Sequence, residues 1–336
     1  MSFTQVGDLA QQHLMRRHNT LLTTQLNTLT LELASGKKSD VPKSLGGDFG
    51  LLGDVERSLS LLSGYETATN DAQIFSDTVQ TVLNQMQTLS GDLATSLVST
   101  ASAGLPAPVS SVIAEARQDF DAIVSALNSD VAGRGLFAGA ATDRPALASS
   151  DVILDALSTA LSGAASQDDI LDVVDDWFMS DAGGFETIAY LGSENSLAPF
   201  QLTESDSVRH ELRADHSEIR GILRDTALAV MVGDKGLGLE LPDKSQLLRV
   251  AGERLLSQQD GLTRIRSDLG FVQERIGEAI AKNASTKSSL EITRNNLVTA
   301  DPFDTATRLE AAQVQLETLY TVTARLSRLS LMDYLS

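Results

Sequence analysis

Residues 262–297 read LTRIRSDLGFVQERIGEAIAKNASTKSSLEITRNNL, and this stretch decides the fold. Its apolar residues alternate at spacings of three and four, as in a helix that packs along one seam. The first heptad position takes Leu262, Leu269, Ile276, Asn283, Leu290 and Leu297, and the fourth takes Ile265, Val272, Ala279, Thr286 and Thr293. The pattern predicts one helix about 54 Å long. Its second half places polar residues in the seam, which lowers stability and often fixes the register of packing.

Four more segments show helical spacing, and two of them match this seam closely. Residues 72–93 and 109–127 alternate by three and four, so we expect a bundle of three long helices. Residues 3–35 form an amphipathic pattern rich in Thr and Asn, and a last helix starts near Phe303. The stripe of the N-terminal segment is Leu22, Leu26, Leu29 and Leu33, and that of the last helix is Leu309, Ala312, Leu316, Leu319, Thr323 and Leu326.

The middle of the chain differs in composition. Residues 146–232 hold sixteen Asp or Glu against four Arg and no Lys. Apolar alternation at 187–190 and 200–202, with glycines around it, predicts short strands. The acidic residues at 168–176 have the spacing of a solvated helix face. We therefore predict a mainly α protein, built as a long-helix bundle and coiled coil of the N- and C-terminal regions, with a small mixed α/β insertion.

Composition excludes several classes of function. The net charge of −19 argues against a nucleic-acid partner, which needs a basic face. There is no cysteine, so disulfides and thiolate metal sites are excluded. No apolar run reaches the roughly 20 residues of a membrane span, so no membrane insertion is expected. A cleaved secretory signal is also not expected, so the chain is either cytoplasmic or exported by a route that does not read one.

The sequence offers no convincing catalytic, metal or cofactor site. His13 and His18 are five residues apart and fall on different helix faces, which disfavours a metal pair. Residues 168–176 lack the alternating ligands and central glycine of a calcium loop. The glycines at 133–139 miss the spacing of the dinucleotide fingerprint. We expect no enzyme and no cofactor.

Four motifs carry a resemblance to a known family. They are LASGK at 33–37, GLFAG at 135–139 followed by Thr142, Asp143 and Pro145, RSDLGFVQER at 266–275, and LSLMDYL at 329–335. Together they resemble the bacterial flagellin superfamily and, within it, the family of hook–filament junction proteins. The likeness covers roughly residues 1–145 and 245–336. The loop at 39–43 departs from the family pattern.

The resemblance implies a three-part organisation and a structural role. Residues 1–35 and 300–336 would form a terminal axial coiled coil, 36–145 and 233–299 a helical core, and 146–232 an acidic outer domain. It implies unfolded export by the flagellar type III route, a chaperone at the C-terminal helix, and a ring of copies that contacts hook-side and filament-side proteins. The expected assembly interface is Leu22, Leu26, Leu29, Leu33, Leu309, Leu316, Leu319, Leu326, Leu329, Leu331 and Leu335.

Part of this expectation comes from the residues alone. Leu21, Leu31, Leu329 and Leu331 fall off the main stripes, and uncovered apolar residues on a paired helix usually indicate partner subunits. Two alternatives stay open. One is a filament flagellin, and the other is a cytoplasmic coiled-coil adaptor or enzyme whose ends are permanently folded.

Overall fold

The structure is a computed structural model that describes the backbone of residues 3–335 and the side chains of residues 10 and 13–326. The chain divides into two compact units. The first comprises residues 1–62 and 285–336, and the second comprises residues 63–284. Residues 146–232 lie within the second unit, so the separate outer domain expected for them stays a prediction.

Long helices dominate the chain, which confirms the predicted mainly α class. The helices are α1 Phe3–Ser35, α2 Val41–Ser44, α3 Gly50–Ala103, α4 Pro106–Leu127, α5 Ser150–Leu161, α6 Gln167–Met179, α7 Ser217–Met231, α8 Leu241–Val298 and α9 Pro302–Leu335. Two antiparallel hairpins accompany them, β1 Asp130–Val131 with β2 Arg134–Gly135, and β3 Phe200–Gln201 with β4 Ser207–Val208. None of the described helices is both long and apolar enough to cross a membrane.

The helix ends follow from local sequence. Gly36 adopts a positive φ of 68° directly after α1, a conformation that is costly for residues with a Cβ. Pro106 opens α4, where its missing N–H costs nothing. At the start of α9, Asp301 Oδ1 accepts hydrogen bonds from the amides of Phe303 and Asp304, at 2.8 and 3.2 Å. These ends agree with the sequence pattern.

Two long helices extend beyond the predicted seams. The helix α8 has 58 residues and begins at Leu241, well before the predicted seam that starts at Leu262. Pro242 lies in the first turn of this helix, where the missing N–H of proline costs no hydrogen bond. The helix α3 has 54 residues and begins at Gly50, well before the apolar repeat at Ala72. Between α1 and α3 lies the single-turn helix α2.

The core of the second unit lies along the predicted seams. Leu262, Leu269, Ile276 and Ala279 of α8 are buried together with the apolar repeat of α3. Gly252 of α8 brings the two helices close together, because a Cβ there would lie 2.9 Å from the carbonyl oxygen of Ala94. The helix α4 packs against α7, which closes the bundle.

The polar seam position Asn283 has a specific partner. Its Nδ2 donates a 2.9 Å hydrogen bond to the carbonyl oxygen of Leu202, and its side chain is buried. Leu202 directly follows β3, whose Phe200 pairs with Val208 of β4. The amide therefore ties this hairpin to α8, because a buried carbonyl needs a donor.

The prediction of a strand at residues 187–190 is wrong. Residues Phe185–Ala189 form a π-helical turn that is closed by a 2.8 Å hydrogen bond from the amide of Tyr190 to the carbonyl of Phe185. Phe185 and Ala189 are fully buried while Ile188 is exposed. Burial therefore follows the helical turn and not the alternation read from the sequence. In the described residues, the end of this segment forms one isolated antiparallel bridge, between Leu147 and Tyr190.

Candidate assembly surface of the terminal helices

The helices α1 and α9 of the first unit pack against each other in antiparallel orientation. At one end the amide of Ala300 donates a 3.0 Å hydrogen bond to the carbonyl of Gly36. Towards the other end Thr323 Oγ1 lies 3.5 Å from Met15 Sδ. Residue numbers fall along α1 as they rise along α9, so the two helices are antiparallel. The two contacts also fix which residues of α1 lie beside which residues of α9. They bring the two ends of the polypeptide into one helix pair.

The connection beside this pair is held by hydrogen bonds to backbone carbonyls. The amide of Lys38 donates to the carbonyl of Val298 at 2.9 Å, and Lys38 Nζ donates to the carbonyl of Leu297 at 3.1 Å. Lys37 and Thr299 form an isolated antiparallel bridge. The chain leaving α1 is thereby tied to the chain that enters α9.

The predicted interface leucines occupy the facing sides of this pair only in part. Leu29 is buried, at 3% exposure, whereas Leu33 is exposed at 41%. The half-buried members are Leu22, Leu26, Leu309, Leu316, Leu319 and Leu326. The side chains of Leu329, Leu331 and Leu335 lie outside the described residues. Eight of the predicted residues are therefore placed, and the role of the set in assembly stays a prediction.

The first unit has little core of its own. Among its described side chains, the buried apolar ones are Leu29, Val55, Ala300 and Ala312. The second unit buries a continuous apolar cluster that runs from Ala72 to Ala279. Helix stability in proteins comes mostly from tertiary packing of an apolar face, so the terminal pair has a weak source of stability when it is alone.

Large apolar side chains instead lie on the outer faces of the terminal helices. Leu14 and Leu21 of α1 are each 59% exposed, and Phe303 and Val314 of α9 are 84% and 62% exposed. Further exposed apolar residues of the first unit are Leu31, Phe49, Leu51, Leu61, Ile292, Tyr320 and Val322. Leu21 and Leu31 were expected to be uncovered from the sequence. The exposure of Leu14, Phe303 and Val314 was not predicted from the sequence. Leu14 is seven residues from Leu21, and Phe303 is eleven residues from Val314, so each of these pairs lies on one face of its helix.

The ionisable groups buried in the second unit serve its packing. His210 lies between the rings of Phe75 and Phe200, with its Nε2 3.0 Å from Ser76 Oγ. Ser76 already donates its hydroxyl proton to the carbonyl of Ala72, so Nε2–H of His210 is the donor in the second bond. Burial lowers the pKa of His210 to about 4 and keeps the ring neutral.

Asp225 is the second deeply buried ionisable group among the described side chains. Arg224 contacts both of its carboxylate oxygens at 2.9 Å, and Gln258 donates to Oδ2 at 2.6 Å. Burial raises the pKa of Asp225 despite the opposing effect of Arg224 and Arg254. Arg254 also binds Asp175 of α6 at 2.9 Å, so this member of the acidic face is ion-paired and not simply solvated. The cluster joins α6, α7 and α8.

None of these groups forms a recognisable reactive site. A surface cavity of about 460 Å³ has His210 in its wall, but that imidazole is already used in packing and in its hydrogen bond to Ser76. Within the described part of the chain, no three His, Asp or Glu side chains are grouped so as to hold a metal ion. The most distinctive functional feature is therefore the partly covered pair of terminal helices.

The geometry defines a class of protein with long helices, in which one unit has an extensive apolar core and the other contains the paired helices α1 and α9. Residues 255–335 match the family model of the bacterial flagellin C-terminal helical region. This match confirms the resemblance to the flagellin superfamily that the motifs at 266–275 and 329–335 carry.

Among solved structures, the fold is similar to that of a putative flagellar hook-associated protein from Vibrio parahaemolyticus. The TM-score is 0.53 and the identity is 15%, with 75% of this chain and 99% of the other chain covered. At that identity the likeness shows a shared fold. A search of curated proteins gave no match.

Proposed function

We propose that this chain is a structural, non-catalytic subunit of the bacterial flagellum that joins the hook to the filament. The observation that carries the proposal is the pair α1 and α9, which has large exposed apolar side chains on its outer faces and few buried residues among its described side chains. The flagellin-type C-terminal region and the fold shared with a hook-associated protein support it. In this role the terminal pair lines an axial tube and becomes fully buried only against other subunits.

The same feature fits an exported, self-assembling chain. Helices with a weak core stay unfolded at low cost and become ordered when neighbours cover them. We propose export by the flagellar type III route without a cleaved signal and protection of α9 by a chaperone before export. The expected partners are copies in a ring, with hook-side proteins below and filament-side proteins above.

Removing the C-terminal helix tests this function. A chain truncated before residue 303 should remain folded in its second unit, because the cluster from Ala72 to Ala279 is intact, but it should not incorporate at hook tips. Electron microscopy of hook ends and a motility assay measure the result in a strain that carries only this version. Normal hook–filament joints with the truncated chain would exclude the proposal.

A pair of phenylalanine substitutions gives a sharper version of the test. Phe303→Ser removes an 84% exposed ring from α9, and Phe271→Ser removes a 63% exposed ring from α8. Neither ring is part of a core, so the free energy of unfolding of each variant should lie within about 0.5 kcal/mol of that of the parent chain. Phe303→Ser should reduce incorporation while Phe271→Ser does not. Equal incorporation of both would mean that the α9 face is not used.

Filament flagellin remains the second candidate because it shares the C-terminal helical region. A junction subunit occurs as a closed layer of copies, whereas a filament subunit repeats along an open helix. Counting fluorescently labelled copies per flagellum separates the two. Label confined to one spot at the hook end supports the junction, and label along the filament supports flagellin.

A further inference from the structure

The outer face of α1 has a second helical repeat, distinct from the stripe that faces α9. At 100° per residue, Leu14, Arg17 and Leu21 fall within about 60° of one another, and their centre lies about 120° around the helix from that of the inner stripe of Leu22, Leu26, Leu29 and Leu33. Thr24, Thr28 and Leu31 continue the same spacing of three and four. This set is called the α1 outer face below.

The helix α9 has a matching face. Phe303, Glu310, Val314 and Glu317 also fall within about 60° of one another, opposite the inner stripe of that helix. Spacings of seven, four and three residues separate them, and Thr321 extends the series. This set is called the α9 outer face below. Each face therefore has the spacing by which one helix packs along another.

The threonines on these faces are ready for burial. Thr24 and Thr28 donate their hydroxyls to the carbonyls four residues earlier, at 2.8 and 2.9 Å, and Thr321 does the same to Glu317 at 2.9 Å. A hydroxyl that is already bonded within its own helix leaves no unsatisfied donor when a neighbour covers it. Burying these faces consequently costs less than their polar composition suggests.

The charged residues on the two faces are of opposite sign. Arg17, Glu310 and Glu317 are exposed, and within the described part of the chain none of the three makes an ion pair. Two α9 outer faces brought together would oppose carboxylates, and two α1 outer faces would oppose arginines. Only the mixed pairing combines opposite charges with apolar contact.

We propose that the α1 outer face of one copy packs antiparallel against the α9 outer face of the next copy, with Arg17 paired to Glu317 across the contact. The inference rests on the proposed function and specifies which surfaces join the subunits. Such a contact uses a different patch on each copy, so it can continue from subunit to subunit around an axis.

The register of α1 against α9 within one copy indicates which residues would face each other between copies. Gly36 is level with Ala300, and Met15 is level with Thr323. For copies at equal height, Leu21 therefore lies level with residues near 316, between Val314 and Glu317. Arg17 lies level with residues near 320, within one helical turn of Glu317.

Charge reversal tests the contact with its own rescue. Arg17→Glu and Glu317→Arg should each lower incorporation at purified hook ends roughly tenfold or more, because each opposes like charges. A chain that carries both substitutions should recover most of the loss, since the pair is restored with its signs exchanged. Arg16→Glu is the matched control: Arg16 is about 100° around the helix from Arg17 and should tolerate the change.

The outcomes separate this inference from the proposed function. If the unaltered chain does not incorporate at hook ends, the proposed function fails and the inference with it. If the unaltered chain incorporates, then normal incorporation of the single reversals, or no recovery in the double variant, overturns the inference alone.

Cross-linking gives a second, independent measurement. Because the chain has no cysteine, a mixture of Leu21→Cys copies and Val314→Cys copies has one thiol per molecule. After co-assembly and oxidation, the mixture should yield disulfide-linked dimers, while neither variant alone should. Val152→Cys, an exposed position on α5, replaces Val314→Cys in the control mixture. Dimers in the single-variant samples at the level of the mixture, or none in any sample, would contradict the mixed pairing.

Discussion

At the scale of residues, His210 shows how a polar side chain can be held in an apolar bundle. The ring is 6% exposed, lies among phenylalanines, and uses its Nε2–H in a single hydrogen bond to Ser76. In the unfolded chain an imidazole has a pKa near 6.5, whereas burial lowers the pKa of His210 to about 4. The folded state therefore favours the neutral ring.

This difference predicts a pH dependence with a definite sign. Between about pH 6.5 and pH 4 the unfolded chain binds a proton at His210 that the folded chain does not, so stability is lost as the pH falls. The contribution present above pH 6.5 amounts to about 3 kcal/mol. Denaturant unfolding of the parent chain and a His210→Phe variant, from pH 7 to pH 4, measures it. The parent should lose stability faster, and parallel profiles would show that the buried ring does not resist protonation.

Asn283 illustrates what a sequence reveals about a residue and what it does not. Its polarity within an apolar repeat indicated a special position in the seam. The partner, the carbonyl of Leu202, could not be predicted because it comes from a hairpin 81 residues away in the chain. A pattern along one helix does not contain the groups that other segments bring to it.

At the scale of elements, the long helices were the most predictable part of the fold. Their repeats, the glycine after α1 and the prolines that open α4 and α9 all act locally, so the sequence alone indicates where helices lie and end. The single turn α2 and the π-helical turn at Phe185–Ala189 were missed. The latter depends on the packing of Phe185 and Ala189 in the body of the second unit, which overrides the local alternation.

The close approach of α3 and α8 gives a prediction at this scale. A Cβ at position 252 would lie 2.8 Å from Val98 Cγ2, 2.9 Å from the Ala94 carbonyl and 3.1 Å from Leu97 Cβ. Gly252→Ala should thus lower the free energy of unfolding by about 1–3 kcal/mol, since part of this barrier is backbone that cannot rotate away. Thermal and denaturant unfolding measure the change.

Gly277→Ala is the matched control on the same helix. A Cβ at that position would have no atom within 4 Å, so the substitution should raise the free energy of unfolding by about 0.5–1 kcal/mol through helix propensity alone. If Gly252→Ala stabilised the chain as much as Gly277→Ala, the helices would not be as close as the structure shows.

At the scale of the whole molecule, two units with different internal packing share one chain. The second unit has an extensive apolar core, whereas the described part of the first buries few apolar residues and exposes many. The inner leucine stripes of α1 and α9 could be read from the sequence, and the structure places them on a helix pair. The outer faces were missed because their apolar residues, Leu14 on α1 and Phe303 and Val314 on α9, are widely spaced. Threonines and charged residues occupy the positions between them.

In the proposed role, this contrast in packing makes assembly favourable. A subunit whose terminal helices were already buried would gain little apolar burial on joining its neighbours. One whose terminal helices have large exposed side chains gains roughly 25 cal/mol for each Å² of apolar surface that is covered. In that role, the free energy of assembly would come from apolar surface that the isolated chain leaves in water.

Hydrogen exchange on the isolated and the assembled protein tests this claim most directly. In the isolated chain, amides of α1 and α9 should exchange far faster than those of residues 262–279 in the core of the second unit. After incorporation at hook ends, α1 and α9 should become protected while residues 262–279 change little. Strong protection of both terminal helices in the isolated chain would contradict the account, and would favour a permanently folded coiled-coil protein.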